Sequence, residues 1–356
     1  MSLASAPSLA PAPSLAPAPK IELHVHLEGS VRPKLLFEIA SRNGFELPAR
    51  NEAELARLFE FRDFDHFLAL WLATTPALQT EDDFRRIVVA YAREAAGFGA
   101  VYIEGIFSPV ERVAGGATWD EVFSGFCDGA AESRERHGVD VRLTPDIPRS
   151  LGPEPAMETA RYAVKYRDRG VVGLGLGGPE AQFPPEPFER AFRVAKDGGL
   201  GSVPHAGEAA GPESIRGAID ALRADRIRHG VRSVDNPALL EELAFRGIVC
   251  DVCPISNVRT RVVDSIGVHP LARMIEAGVL CSISTDDPAM FDTDLARDYQ
   301  AAAEAGCTPE QAFLAGMTGS LCDDETREGL REIHDSYPWP SGLSQGGIGD
   351  LSGPPG

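Results

Sequence analysis

Apolar and polar positions along the chain form a repeating order of short strand-like runs and longer helix-like runs. Residues 21–27 alternate with a period of two, which is typical of a strand. The further strand-like runs are residues 99–107, 139–147, 171–176, 201–205, 226–229, 247–253 and 279–285. Helical periodicity separates them, at residues 84–96, 119–136, 155–167, 188–196, 212–222, 237–245 and 269–277. Strands alternating with helices in this way predict an α/β fold, a closed (β/α)8 TIM barrel in a single domain.

A doubly wound open sheet is the competing architecture. Its first strand is usually followed by a glycine-rich phosphate-binding turn, whereas this chain has the sequence His-Leu-Glu-Gly at residues 26–29. Before the next strand, residues 33–43 predict a helix that ends at Gly44. Residues 51–80 then carry dense aromatic side chains at helical spacing. We interpret them as a helical insertion after strand one, which would cover the mouth of the barrel as a lid or would simply form helix core.

Neither end of the chain shows this pattern. Residues 1–19 repeat Ser, Leu, Ala and Pro without a charge before the domain begins, and the prolines break the apolar run that a secretory signal needs. Residues 338–356 are rich in Gly, Pro and Ser. We predict a disordered arm at 1–19, the barrel domain at 20–337 and a flexible tail at 338–356.

Composition limits the function and the compartment. The 356 residues carry a formal net charge of -19, which disfavours binding to nucleic acid or to an anionic membrane surface. A small neutral or cationic ligand fits better. The six cysteines lack the spacing of a disulfide framework, and no apolar stretch is long enough to span a bilayer, so we expect a cytoplasmic protein. Cys250 and Cys253 lie three apart in a predicted strand and face opposite sides, so we do not expect a shared redox or zinc site.

Chemically competent side chains lie at the ends of several predicted strands, where TIM barrels carry their catalytic residues. His24 and His26 are two residues apart on the first strand and therefore share a face. His205 and His229 end the fifth and sixth strands, and Asp286 follows the eighth. Three imidazoles and one carboxylate suit zinc. We therefore predict one Zn²⁺ per chain, bound by His24, His26, His205 and Asp286.

Two further residues would complete a hydrolytic site. Zinc lowers the pKa of a bound water from about 15.7 to about 7, which makes hydroxide available at neutral pH. His229 could orient that water or carry its proton, and Glu208, one turn beyond His205, could donate a proton to the substrate. The alternative for Glu208 is a carboxylate stabilised by a helix N-terminus. The expected reaction is hydrolysis at an electrophilic carbon.

At these residues the chain resembles the adenosine deaminase family, over about residues 20–322. The matching segments are LHVHLEG at 23–29, LGGPE at 176–180, HAGE at 205–208, RHG at 228–230, CPISN at 253–257 and TDDP at 285–288. The resemblance implies a zinc-dependent (β/α)8 aminohydrolase, which replaces the amino group at purine carbon six by oxygen and releases ammonia. It implies the same four metal ligands.

The resemblance also implies roles for individual residues. Glu208 would protonate ring N1, and His229 would lie beside the hydrolytic water. Asp287 would be a catalytic carboxylate near N7, and the backbone of Gly178 would face N3. His26 would contact the substrate as well as the metal.

Departures from the family pattern bear on the substrate. Adenosine-specific members typically carry Asp where this chain has Glu28, in the region that faces the ribose, and often Arg at Ile106. Gly175 and Pro179 replace two further aspartates. Related bacterial branches with such changes act on free adenine or on 6-aminodeoxyfutalosine, a nucleoside with a carboxylated 5′ extension. Arg149, just past strand three, could bind that carboxylate or be an ordinary surface charge. The predicted substrate-binding residues are thus His26, Glu28, Arg149, Gly178 and Asp287.

The leading hypothesis is zinc-dependent hydrolytic deamination of a small-molecule purine nucleoside, either adenosine or a 5′-modified adenosine. The alternatives are a 6-aminodeoxyfutalosine deaminase of menaquinone biosynthesis and an adenine deaminase. More remote alternatives are another amidohydrolase-type metal hydrolase and a catalytically inactive purine-binding protein on the same fold.

Overall fold

The computed structural model describes residues 17–340, which form an α/β fold with parallel strands. The predicted arm at 1–19 and the predicted tail at 338–356 lie outside the described residues, apart from three residues each. The domain boundaries therefore remain predictions. Among the described residues, no helix has both the length and the apolar composition needed to cross a bilayer.

The strands have the predicted positions, with ends that differ by one or two residues. They are β1 (Lys20–His26), β2 (Ala100–Phe107), β3 (Asp140–Pro148), β4 (Gly173–Gly177), β5 (Gly201–Ser202), β6 (His205–Ala206), β7 (Arg226–His229), β8 (Val249–Val252) and β9 (Cys281–Ile283). The predicted strand at 201–205 is divided into β5 and β6. Pro204 lies in the gap and has no backbone N–H to donate to a neighbouring strand, which explains the interruption.

Backbone hydrogen bonds join the two parallel sheets, β1–β5 and β6–β9, at both of their borders. At one border, Val203 N–H donates to Leu174 O over 2.9 Å, and Arg228 N–H donates to Pro204 O over 3.0 Å. At the other, His26 N–H donates to Asp286 O over 2.7 Å, and Asp286 N–H donates to His24 O over 3.1 Å. The segment after β9 is therefore held against the end of β1.

Helices lie between the strands and beyond the last one. They are α1 (Pro33–Asn43), α2 (Glu52–Leu58), α3 (Phe64–Thr74), α4 (Glu81–Gly97), α5 (Pro109–Ala114), α6 (Trp119–His137), α7 (Pro153–Lys165), α8 (Glu189–Asp197), α9 (Pro212–Asp220), α10 (Pro237–Arg246), α11 (Pro254–Arg259), α12 (Leu271–Glu276), α13 (Leu295–Glu304), α14 (Pro309–Gly319) and α15 (Asp324–Ser336). The insertion predicted at 51–80 contains α2 and α3. The helices α5 and α11, of six residues each, were not predicted because such short segments give no periodic signal.

Sequence signals account for the start and end of several helices. Thr80 and Thr118 each accept a hydrogen bond from the backbone of the third helical residue, and that residue's carboxylate bonds back to the threonine N–H. Gly44 and Gly138 end α1 and α6 in the left-handed conformation that glycine adopts without strain.

The main hydrophobic core lies between the strands and the surrounding helices. Phe126 stacks on Phe84 from α4 and on Phe107 from β2, with ring centroids 5.3 and 4.3 Å apart. A smaller cluster packs α14 against the first half of β1 through Ile21 and Phe313. Val25, further along β1, belongs to the main core, so apolar contacts extend along one face of this strand, and His24 and His26 lie on its other face.

Candidate metal centre and active site

A cavity of about 860 Å³, including the part open to solvent, lies at the carboxyl ends of the strands. Most of the predicted site residues line it: His26, Gly178, His205, Glu208, His229, Asp286 and Asp287. The apolar part of the lining includes Phe67, Leu68, Trp71 and Leu72 from α3, so the insertion does cover one side of the cavity.

The four predicted metal ligands converge at one point. The Nε2 atoms of His24 and His26 lie 3.2 and 3.3 Å from Asp286 Oδ1. His205 Nε2 lies 3.1 Å from the same atom of His24 and 3.2 Å from that of His26. Four ligand atoms placed tetrahedrally about 2.0 Å from a zinc ion are about 3.3 Å apart. The donor atoms are therefore spaced as a single zinc ion requires.

The charge states of these side chains also suit a metal. Burial lowers the pKa of His24 and His205 well below the usual range and lowers the pKa of His26, so the imidazoles are neutral and their lone pairs are free. Burial alone would raise the pKa of Asp286, but the neighbouring His24 ring lowers it, and the carboxylate is ionised. The cluster thus offers three neutral nitrogens and one negative oxygen.

Hydrogen bonds behind the cluster orient the His205 ring. Its Nδ1 donates to Leu176 O over 3.0 Å, which directs the Nε2 lone pair towards the other ligands. Asp146 Oδ2 lies 3.4 Å from the same nitrogen. Asp146 was not singled out from the sequence, although it stands near the end of predicted strand three, where polar residues of a barrel site are expected.

Two site residues have a left-handed backbone, with φ of 65° at Asp286 and 64° at His229. This conformation costs about 1–2 kcal/mol in a residue with a Cβ atom. At Asp286 the backbone bonds to β1 hold it in place, and Ser256 Oγ donates to Asp286 Oδ2 over 2.6 Å. Such strain is often found at functional residues, which supports a role for both side chains.

A chain of buried hydrogen bonds fixes the tautomer of His229. Leu271 N–H donates to His269 Nδ1 over 3.1 Å, so the hydrogen of a neutral His269 is on Nε2, which donates to Asn257 Oδ1 over 3.2 Å. The amide nitrogen of Asn257 then donates to His229 Nδ1 over 3.3 Å. Burial lowers the pKa of His229 to about 4, so at neutral pH its ring is neutral with its hydrogen on Nε2. Asn257 and His269 were not assigned roles from the sequence.

The Nε2 atom of His229 faces two carboxylates. It lies 3.4 Å from Glu208 Oε2 and 3.9 Å from Asp286 Oδ2. Burial and the nearby Asp286 carboxylate raise the pKa of Glu208 well above the usual range, so Glu208 can hold a proton at neutral pH. The helix-terminus explanation for Glu208 is wrong, because α9 begins only at Pro212 and its first-turn acid is Glu213.

The buried carboxylate of Glu180 shapes the turn that carries Glu208. Glu180 Oε1 accepts the Gly207 N–H over 2.5 Å. Its Oε2 accepts the N–H groups of Glu208, Ala209 and Ala210 over 3.0, 2.8 and 3.0 Å. Four bonds to consecutive amides leave this turn little freedom, and they aim Glu208 at the cavity.

The adenosine deaminase family model matches residues 19–336. The chain belongs to the adenosine deaminase family. It is a metal-binding hydrolase of purine metabolism that removes an amino group by hydrolysis. Its metal-binding histidine and aspartate cluster is the one described above.

Relatives of known name cover almost the whole chain. An aminodeoxyfutalosine deaminase from Acidothermus cellulolyticus is 50% identical over 329 residues, 90% of this chain and 92% of that protein. The crystal structure of an adenine deaminase from Arthrobacter aurescens is similar with a TM-score of 0.85 and 31% identity, over 89% of this chain and 98% of that one. A zinc-bound amidohydrolase from Burkhoderia ambifaria has a TM-score of 0.81 and 29% identity, over 89% and 90% of the two chains. These similarities confirm a parallel α/β fold of the TIM-barrel family.

Within the family site, Asp287 and Gly178 lie on the cavity wall, as the resemblance implies. Burial raises the pKa of Asp287 well above the usual range, and its Oδ1 has no hydrogen-bond partner among the described residues. A Cβ atom on Gly29 would lie 1.7 Å from that oxygen, so only glycine leaves room for it. Gly178 has a φ of 100°, a conformation that favours glycine.

The other two predicted substrate-binding residues are not part of the cavity lining. Glu28 is buried, and its Oε1 accepts the Ser108 N–H over 2.8 Å. Arg149 is 0% exposed, and its guanidinium donates to the backbone oxygens of Phe183, over 2.8 Å, and of His205. Because these carbonyls use the guanidinium, the structure does not support Arg149 as the group that binds a substrate carboxylate, nor as an ordinary surface charge.

The two cysteines three apart are both buried, and each contacts different residues. Cys253 Sγ lies 3.6 Å from His24 Nδ1, while Cys250 packs against Gly230. Burial raises the pKa of the Cys253 thiol well above the usual range, so it remains protonated beside the His24 ring. Cys253 thus supports a metal-ligating ring from behind.

Proposed function

We propose that this deaminase acts on 6-aminodeoxyfutalosine, replacing the amino group at purine carbon six by oxygen with release of ammonia. The observation that carries the proposal is the 50% identity to the aminodeoxyfutalosine deaminase of A. cellulolyticus, which extends over 90% of this chain. It favours this substrate over unmodified adenosine, which is one of the two substrates in the leading hypothesis from the sequence.

We further propose that one Zn²⁺ per chain binds to His24, His26, His205 and Asp286. The spacing of their donor atoms and the three neutral imidazoles support this choice. At this site zinc would supply Lewis-acid activation of the attacking water.

The remaining chemistry belongs to the side chains. Glu208, whose raised pKa lets it hold a proton, donates that proton to ring N1 and makes carbon six more electrophilic. His229 has its hydrogen on Nε2 and orients the attacking water from the side of Glu208. The water oxygen adds to carbon six, and its two protons go to the amino group and to the Glu208 carboxylate. The carbon–nitrogen bond then breaks, ammonia leaves, and Glu208 is again protonated.

Two residues hold the purine ring during these steps. The raised pKa of Asp287 means that its carboxyl holds a proton, which it donates in a hydrogen bond to N7. The backbone of Gly178 faces N3, with no side chain between it and the cavity.

The fold that positions these groups is, we propose, a closed (β/α)8 barrel in which β5 and β6 are one interrupted strand. The backbone bonds between Asp286 and β1 support closure. So does the 2.7 Å bond between Arg226 on β7 and Glu104 on β2, because these strands are not neighbours and their side chains meet across the interior.

Deamination of free adenine is the second candidate. The similarity to the A. aurescens adenine deaminase, with its TM-score of 0.85, favours it. In this case the part of the cavity beyond the purine would take no part of the substrate.

Ammonia release from 6-aminodeoxyfutalosine, adenosine and adenine on zinc-loaded enzyme tests the proposal. We expect the largest kcat/KM for 6-aminodeoxyfutalosine. A largest value for adenine would replace the proposal by the second candidate. A largest value for adenosine would favour unmodified adenosine, the other substrate in the leading hypothesis from the sequence. The variant Glu208→Gln is the control: it should retain zinc and lose activity on every substrate, which excludes a contaminating deaminase.

A further inference from the structure

One acidic side chain on the cavity wall has no role in the steps above. Glu111 lies on α5, directly after β2, and lines the cavity together with Ser108 and the apolar residues of α3. It was not singled out from the sequence. Its position at the carboxyl end of β2 places it on the face of the fold where the metal ligands lie.

The Glu111 carboxyl has an unused hydrogen-bonding atom. Its Oε2 is buried and has no hydrogen-bond partner among the described residues. Burial raises the pKa of Glu111 to about 7. Buried polar atoms in native proteins are nearly always paired, so an unpaired one on a residue that lines a cavity indicates a group that a ligand completes.

The neighbouring charges do not neutralise Glu111 through an internal ion pair. The guanidinium of Arg112 donates to the backbone oxygen of Thr75 and, over 3.1 Å, to its hydroxyl. Glu28 uses its Oε1 for the Ser108 N–H. Glu111 Oε2 thus has no hydrogen-bond partner among the described residues.

The charge of the cavity defines the ligand group. No lysine or arginine is among the described residues that line the cavity. Asp146 and Glu208 are further acidic residues in the same lining. A negatively charged ligand group beside Glu111 would be repelled. A neutral hydroxyl can donate to the ionised carboxylate and can accept from the protonated acid, so it suits Glu111 in either state.

We propose that Glu111 is a specificity-determining residue that hydrogen-bonds a hydroxyl of the sugar attached to the purine. The inference rests on the proposed function, because a free base has no sugar. In this arrangement the sugar lies beside the turn between β2 and α5. The apolar parts of the substrate then pack against the residues of α3 that line the cavity.

The test compares wild-type, Glu111→Leu and Glu111→Gln enzymes, all loaded with zinc. The probes are adenosine, its 2′-, 3′- and 5′-deoxy analogues, and adenine, used as substrates or, where turnover is slow, as competitive inhibitors of 6-aminodeoxyfutalosine deamination. Glu111→Leu should lower kcat/KM for adenosine about tenfold, mainly through KM, because a bond made equally in the ground and transition states is lost. Glu111→Gln, which keeps a hydrogen-bonding group, should stay within about threefold of wild type.

One deoxy analogue should distinguish a sugar contact from a general defect. For the analogue that lacks the bonded hydroxyl, and for adenine, Glu111→Leu and wild type should be equal. The exposed Glu135→Leu on α6 is the matched control and should change nothing.

The unfavourable outcomes separate the two proposals. If wild-type enzyme acts on nucleosides but Glu111→Leu affects every probe equally or none, the role of Glu111 is wrong and the proposed function stands. If wild-type enzyme neither turns over nor binds any nucleoside, the proposed function and this inference both fail.

Discussion

Arg226 and Arg228 lie two residues apart on β7, and both are completely buried, yet their surroundings differ. Side chains two apart on a strand share a face, so both point into the interior of the sheet. Arg228 is nearer the carboxyl end of the strand and hence nearer the metal cluster. The comparison shows how the partners of a buried arginine change with its distance from the metal cluster.

Arg226 is satisfied entirely by partners that have no contact with the cavity. Its Nε donates to Asp251 over 2.6 Å, and its Nη2 donates to Glu104 over 2.7 Å and to Leu23 O over 3.1 Å. Its Nη1 donates to Gly319 O over 2.7 Å. Burial opposes the charge, but the two carboxylates outweigh it and raise the pKa of Arg226. This layer joins distant strands and serves the fold.

Arg228 forms fewer bonds, and one of its partners also faces a metal ligand. Its guanidinium donates to Thr144 Oγ1 over 2.7 Å and to Asp146 Oδ1, while its Nε has no partner among the described residues. The other oxygen of Asp146 lies 3.4 Å from His205 Nδ1. Arg228 therefore holds the carboxylate that stands behind a metal ligand, and serves the site.

The largest expected effect is a loss of stability when Arg226, the arginine further from the metal cluster, is replaced. Arg226→Met should lower the free energy of unfolding by about 3–5 kcal/mol, because it leaves Glu104 and Asp251 buried without their cation. Urea denaturation of the metal-free protein measures this. The exposed Arg193→Ala is the control and should cost under about 0.5 kcal/mol. A similarly small loss of stability in Arg226→Met would show that the contacts of Arg226 with Glu104 and Asp251 do not stabilise the fold.

The next effect, on zinc affinity, distinguishes the role of Arg228 from that of Arg226. Arg228→Met should reduce zinc affinity about 10- to 100-fold, since Asp146 loses the group that orients it beside His205. Competition with a chelator measures the affinity, and Arg226→Met serves as the comparison once its folded fraction is known. Unchanged zinc affinity in Arg228→Met would mean that Leu176 O alone orients the His205 ring.

The smallest effect concerns the hydrogen bond between Arg228 and Thr144. Thr144→Val removes the hydroxyl that accepts from Arg228 and should cost about 1 kcal/mol of stability. Asp146 keeps its bond, so zinc affinity should stay within about twofold of wild type. A tenfold loss of affinity would show that Thr144, too, helps to orient the metal ligands.

Features that depend only on where a residue lies along its own strand could be predicted from the sequence. His24, His26, His205 and Asp286 could be found because each occupies or follows a strand end, and parallel strands bring these ends together. Whether they bind zinc remains a proposal, as do the roles of the other site residues.

Features that depend on a partner from another element could not be found in this way. Asp146 and Arg228 are ordinary polar positions until β3 and β7 face each other. Glu180 is unremarkable in its own segment, and only the turn at 207–210 shows what its carboxylate holds. For the same reason Arg149 was misjudged: the carbonyls that bind its guanidinium come from distant parts of the chain.

The hydrogen bonds that tie Asp286 to β1 join two parts of the chain that are synthesised far apart in time. During synthesis His24 and His26 leave the ribosome early, but their backbone and metal-binding partner follows only after β9. A nascent chain that ends before β9 therefore has an incomplete set of donor atoms and an open border beside β1. All four donor atoms can therefore come together only after the chain has been synthesised beyond β9.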